Sequence, residues 1–241
     1  MKRVVINQSN YIPWKGYFDL IHDADLFIFY DDVQFTTRDW RNRNLLKGRA
    51  GAQWLTVPVG ARRSRLLRDV TVETDAWQAK HWKTLRHFYG HAPFFERYRP
   101  FLEHVYLGHR WQRLSELNQF MTRTIARDFL GISTEFADSA GIVSTGRGQE
   151  RILSLLTAVG ADMYISGPAG RAYLEPERFR GRGIALVWKE YEGYPEYPQF
   201  FPPFDHGVSI LDVLFQVGPD APAYIWGWRT AALEVNRVRG V

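Results

Sequence analysis

The strongest constraint on the fold lies in residues 3–35. Two short apolar runs, at 3–7 and 26–30, enclose a segment with helical spacing. Pro13 suits the first turn of a helix, where its missing N–H is not needed, and Tyr17, Leu20 and Ile21 then share one face. The run at 26–30 is apolar throughout, the pattern of a strand buried on both faces of a parallel sheet. Strand, helix, strand in this order predicts a β-α-β unit.

The rest of the chain fits that beginning. Residues 44–47 and 54–59 flank a turn at 48–51 and predict a hairpin. Thr74 or Asp75 can cap a helix whose apolar face runs Trp77, Trp82, Leu85, Phe88, with Gly90 at its end. Further helices are predicted over 93–107, disturbed at Pro100, and over 111–130, ended by Gly131. Strands at 133–137, 163–166 and 184–189 then alternate with helices at 150–159 and 175–179, and a last helix spans 208–217. Alternation of this kind implies a parallel sheet covered on both faces. Residues 193–204 are too proline-rich for a central strand. The expected fold is one α/β domain over residues 1–241, parallel-sheet and Rossmann-like, with 75–130 as a helical insertion or cap.

There are no cysteines, which excludes disulfides, thiolate metal sites and a cysteine nucleophile. The first residues turn polar after four apolar positions, and no apolar run reaches the ~20 residues of a membrane span, so a cytoplasmic protein is expected. The net charge of +5 favours an anionic partner. Its excess sits in two clusters. Arg62, Arg63, Arg65 and Arg68 read as a solvated basic loop; Arg38, Arg41 and Arg43 lie beside the polar strand ends and read as functional.

In open α/β sheets ligands bind beyond the carboxyl ends of the strands. Gln8, Tyr11, Trp14 and Tyr17 follow the first strand, Asp31, Asp32 and Gln34 the second, and Ser166 and Gly167 a later one. Asp31 and Asp32 are adjacent, so on a strand end their side chains point apart. In the segment 40–44, an extended chain puts Arg41 and Arg43 on one face and Asn42 on the other, and arginine pairs suit bidentate recognition of phosphate or carboxylate. The seven histidines form no ligand constellation, and none of the common nucleotide-binding or hydrolase motifs is present, so no metal site is expected.

Residues 7–35 (NQSNYIPWKGYFDLIHDADLFIFYDDVQF), with WRNRN, YISGPAGRAYL, YPEYPQF and SILDVLFQVG further on, resemble the WbqC-like protein family. The resemblance covers about residues 3–218. It implies a role in O-antigen, polysaccharide or natural-product clusters, with transfer of glycine or another acyl group onto an amine, and it adds Tyr197 and Gln199 to the substrate-binding candidates. A second likeness, of layout, is to nucleotidyltransferase-like enzymes such as pantothenate synthetase, which activate a carboxylate with ATP. Their His-x-Gly-His signature is here Trp14-Lys15-Gly16-Tyr17, so the cofactor stays open, ATP with magnesium among the candidates.

The leading expectation is an acyl or aminoacyl transferase forming an amide on an amino-sugar or a nucleotide-linked sugar. Asp31 or Asp32 would take the proton of the attacking amine, Ser166 and Gly167 would supply donors to the oxyanion, Arg41 and Arg43 would hold an anion, and the aromatics would stack on a ring. A non-catalytic nucleotide- or sugar-binding protein is the rival. RNA binding by the basic faces is a third reading, and it suits a transferase fed by aminoacyl-tRNA.

Overall fold

The computed structural model describes residues 1–62, 64–73 and 76–229; the Thr74 and Asp75 caps and Arg63 of the second arginine cluster lie outside the described residues. In chain order the elements are β1 (Arg3–Asn7), α1 (Lys15–His22), β2 (Leu26–Phe29), β3 (Arg43–Gly48), β4 (Gly51–Thr56), α2 (Ala76–Tyr89), α3 (Phe95–Glu103) and α4 (Leu114–Thr124). They continue with β5 (Glu135–Asp138), α5 (Gln149–Ala158), β6 (Met163–Ser166), α6 (Pro176–Arg180), β7 (Ala185–Trp188) and α7 (Ile210–Val217).

Five strands make one sheet in the order β5-β2-β1-β6-β7, and every neighbouring pair is parallel. The chain winds outward from β1 in one direction through β2 and β5, then returns to β1 and winds the other way through β6 and β7. This is the Rossmann-like arrangement, and it puts the topological switch between β1 and β6.

Strand alternation sorts the core into two layers. Val5, Phe27, Phe29 and Ile165 join one apolar cluster, and Val4, Ile6, Leu26, Ile28 and Tyr164 join the other. The second is covered by α5 and α6 through Ile152, Leu153, Leu156 and Phe179. The first is larger. It takes in Phe18 and Leu20 of α1, Trp77 and Leu85 of α2, Leu102 of α3, Leu117 and Met121 of α4, and Leu214 and Phe215 of α7. The helical block 76–124 therefore shares its core with the sheet.

Several boundaries differ from the sequence reading, each for a local reason. The hairpin strand β4 ends at Thr56 rather than Val59: Asn42 turns its backbone N to Asp39 O and meets Val57 O with its side-chain amide, so the partner strand stops at Arg43. The long helix expected over 111–130 starts only at Leu114: Thr71 and Arg113 form a β-bridge, and Leu114 N donates to Val70 O. α3 carries Pro100 inside it, and both α3 and α4 run on into π-helical turns, at His104–Gly108 and Ile125–Phe129. The second arginine cluster is less free than a solvated loop: Arg65 donates to Val59 O and lies over the Phe35 ring. No helix among the described residues is long and apolar enough to cross a membrane.

Candidate functional site at the carboxyl edge of the sheet

The parallel strands bring five polar ends to one edge: Gln8 and Ser9 after β1, Asp31 and Asp32 after β2, Asp138 and Ser139 at β5, Ser166 and Gly167 at β6, and Lys189 after β7. Asp31 and Asp32 diverge, as adjacent residues on a strand end must. Asp31, 1% exposed, accepts from Ser9 N at 2.8 Å and from Gln119 Nε2 at 2.9 Å; burial raises its pKa, against which these hydrogen bonds pull. Asp32 is taken by the Arg151 guanidinium and by the Ser139 hydroxyl. Neither is an open carboxylate in this arrangement. Asp31 ties the turn after β1 to β2, and Asp32 anchors α5.

The same Gln119 amide nitrogen also donates to Asp138 Oδ2 at 2.9 Å, so one side chain of α4 bridges the acids of two neighbouring strands. The other oxygen of Asp138 receives no hydrogen bond among the described residues, and the side chain is half-buried. Asp138 is thus the strand-end carboxylate at this edge that remains available.

Arg41 lies in the turn before β3 with 15% of its side chain exposed. It donates to Gln8 Oε1 through Nε at 2.8 Å and to Asn10 Oδ1 at 2.6 Å, while the Asp39 carboxylate stays 3.9 Å away. Burial lowers its pKa, with Asp39, Tyr17 and Asp31 pulling the other way. A guanidinium held mainly by neutral amides is suited to receive a ligand anion. Arg43 does not join it. The turn closed by Asn42 N on Asp39 O breaks the extended run, so only Arg43 enters β3, where its guanidinium lies 4.0 Å above the Trp54 indole. Asn42 is buried, donating to Val57 O.

Several aromatic candidates prove to be core. The Tyr11 hydroxyl is 2.6 Å from that of Tyr106 and 2.9 Å from His81 Nδ1, and the His81 Nε2 reaches Thr56 O at 3.1 Å. Tyr17 is buried and donates to Gln8 O at 2.9 Å, which holds the residue that meets Arg41. Tyr197 and Gln199 serve the buried Asp212 of α7, donating at 2.6 and 2.9 Å, with Tyr89 on its other oxygen at 2.9 Å. Ser166 is buried against Gly170, where an added Cβ would meet its Oγ, and Gly167 faces Tyr191. Gln34 stays exposed at the mouth, its carbonyl 3.5 Å from Gln8 Nε2.

Nor does the first turn of α1 fit an ATP phosphate chain. The Trp14 ring folds onto Gly16, where a Cβ would fall within 2.3 Å of it, and packs against Tyr191 and Tyr194 with centroids at 5.1 and 6.2 Å. Lys15, 2% exposed, turns inward among Tyr194, Tyr197 and Phe204; burial lowers its pKa to about 8. Asp19, His22 and Asp23 bring ligand atoms within 4.8 Å of one another, but Lys189 and Arg229 already lie on both carboxylates.

Sequence reasoning missed Asp138, Gln119, Asn10 and Arg151. Asp138 carried a signal: it is a strand-end acid like Asp31, and the predicted strand stopped one residue short of it. Gln119 and Arg151 carried none, because their roles arise only when helices distant in sequence pack against the edge.

An uncharacterized protein of Mycobacterium tuberculosis (strain ATCC 25618 / H37Rv), Rv1507c, is 42% identical over 227 residues, covering 93% of this chain and 98% of that protein. No solved structure matches the chain significantly. The WbqC-like family model matches residues 8–224, from Gln8 just after β1 through β2 to β7 and α7, so the chain belongs to the WbqC-like protein family.

Proposed function

We propose that the protein is an acyl or aminoacyl transferase that forms an amide on an amino-sugar or related amine. The observation that carries this reading is the pairing, at one sheet edge, of an available carboxylate with a guanidinium held by neutral amides: Asp138 on the Gln119 bridge, and Arg41 on Gln8 and Asn10. An amine attacks only when neutral, and a carboxylate beside it is a suitable base. The amine nitrogen forms a bond to the donor carbonyl carbon and its proton passes to Asp138; the ester or thioester bond of the donor then breaks as Asp138 returns that proton to the departing oxygen or sulfur, which leaves as alcohol or thiol. Arg41 binds the anionic part of the acceptor and sets its position.

The family's name points to O-antigen synthesis, where amino-sugars are modified on their nitrogen, and this supports the choice of acceptor. The test is to incubate the protein with UDP-linked amino-sugars and with glycyl-tRNA or a glycyl thioester, and to search by mass spectrometry for the acceptor carrying one added glycyl group. Binding of the sugar with no amide from either donor would favour the non-catalytic reading, for which the loss of the two signature histidines speaks.

A further inference from the structure

Beside the edge, and separate from Arg41, the hairpin builds a second arrangement. The chain reverses at Arg38, which takes a positive φ of 57°, and its carbonyl accepts a hydrogen bond from Arg43. This places the Arg43 guanidinium over Trp54, and brings Trp40 and Trp54 to a centroid separation of 5.3 Å with planes inclined at 43°. Both indoles are open to solvent, Trp40 at 42% and Trp54 at 47%. One exposed indole needs no explanation, but two in contact with an arginine between hairpin and loop make a stacking platform with a cation attached.

Arg43, which covers Trp54, also borders a cavity of about 320 Å³ that neither indole lines. Its floor is Phe35, Val57, Pro58 and Val59, and Arg38 and Arg43 stand at its wall. The Arg38 guanidinium has no hydrogen-bond or ion-pair partner among the described residues, and Arg43 Nε is likewise without an acceptor. On the other side of Trp54 a groove of about 590 Å³ continues between β4 and α2, with Gln53 and Lys80 in its wall. Flat apolar rings, two arginines and a pocket of small-ligand size converge on a ligand with an aromatic face and a negative charge.

We propose that Trp40, Trp54, Arg38 and Arg43 form a nucleotide-binding site, in which a base stacks on the exposed indoles and phosphate is held by the arginines. Base–aromatic stacking with cations along the backbone is the means by which proteins hold single nucleotides and unpaired strands. The nucleotide has two sources: the carrier of a nucleotide-linked sugar, or the unpaired 3′ end of an RNA. The site stands whether or not the edge transfers an acyl group, and the experiment reads binding alone.

The experiment is calorimetric titration of the full chain with UDP and, separately, with a single-stranded oligoribonucleotide ending in CCA. Wild type, Trp40→Ala, Arg38→Ala and Arg49→Ala are compared, the last being an exposed arginine at the hairpin tip. Trp40→Ala should weaken binding about tenfold or more, the size of one stacked base. Arg38→Ala should weaken it and reduce its dependence on salt, while Arg49→Ala should do little. UDP binding with these losses identifies a nucleotide-linked small molecule, and binding of the oligonucleotide alone identifies RNA. The proposal is overturned if neither binds, if Trp40→Ala changes nothing, or if Arg49→Ala does as much as Arg38→Ala.

Discussion

Arg41 Nε donates to Gln8 Oε1 at 2.8 Å, so a guanidinium at the carboxyl edge is held by a neutral amide while the nearest carboxylate, Asp39, stays 3.9 Å off. Tyr17 makes this contact firm from beneath by donating to the backbone of Gln8. The arrangement leaves the positive charge for a ligand. Arg41→Lys keeps the charge but loses the planar fork, so binding of an anionic acceptor should weaken by about 1–3 kcal/mol, and Tm should fall as well because the bonds to Gln8 and Asn10 are lost. Titration of the acceptor into both proteins measures it. Equal affinity would remove Arg41 from the binding site.

The Tyr106–Tyr11–His81–Thr56 chain predicts a pH dependence of stability. Burial lowers the His81 pKa to about 3, with the hydrogen bond to Thr56 O opposing it, so the folded protein keeps this imidazole neutral. In the unfolded chain it protonates near 6.5. A lowered folded pKa means that its full stabilisation is present above 6.5 and is lost as pH falls toward 3, at about 1.4 kcal/mol per unit. His81→Gln should be less stable at pH 7 and should lose stability less steeply between pH 6 and 4. Parallel denaturation curves for the two proteins across that range would contradict the assignment.

Lys15 gives a prediction of opposite use. Its ammonium is enclosed by three rings and, among the described residues, has one acceptor, Pro195 O at 3.5 Å. With the folded pKa lowered to about 8, the buried charge works against folding at neutral pH, and less so as pH rises toward 10.5. Lys15→Met removes the charge and keeps the volume. It should raise stability at pH 7 by about 1–2 kcal/mol after the lost cation–π contacts are offset, and the gain should shrink by pH 10. Chemical denaturation at the two pH values checks both the sign and the trend.

The sheet was legible because its strands are short apolar runs separated by helical spacing, and β1 and β6 fall at the predicted residues. The divergence of Asp31 and Asp32 was legible for the same geometric reason. What lay hidden depends on tertiary contact. Tyr11 and Tyr17 look in sequence like ring-stacking ligands, since an aromatic side chain serves a core and a binding face equally well. Arg41 and Arg43 looked like a pair because the turn at Asp39 is invisible in their alternation. Gln119 lies 88 residues from Asp31, and nothing local marks it as the bridge between two acids.

The central claim is that Asp138 takes the proton of the attacking amine at the edge where Arg41 holds the acceptor. The most direct measurement is the single-turnover rate of amide formation by wild type and by Asp138→Asn, with acceptor affinity determined alongside. Asparagine can still pair with Gln119 but cannot serve as the base. The account predicts a rate lower by about 10²–10⁴-fold, with acceptor affinity nearly unchanged. An Asp138→Asn protein that forms the amide at the wild-type rate would contradict it.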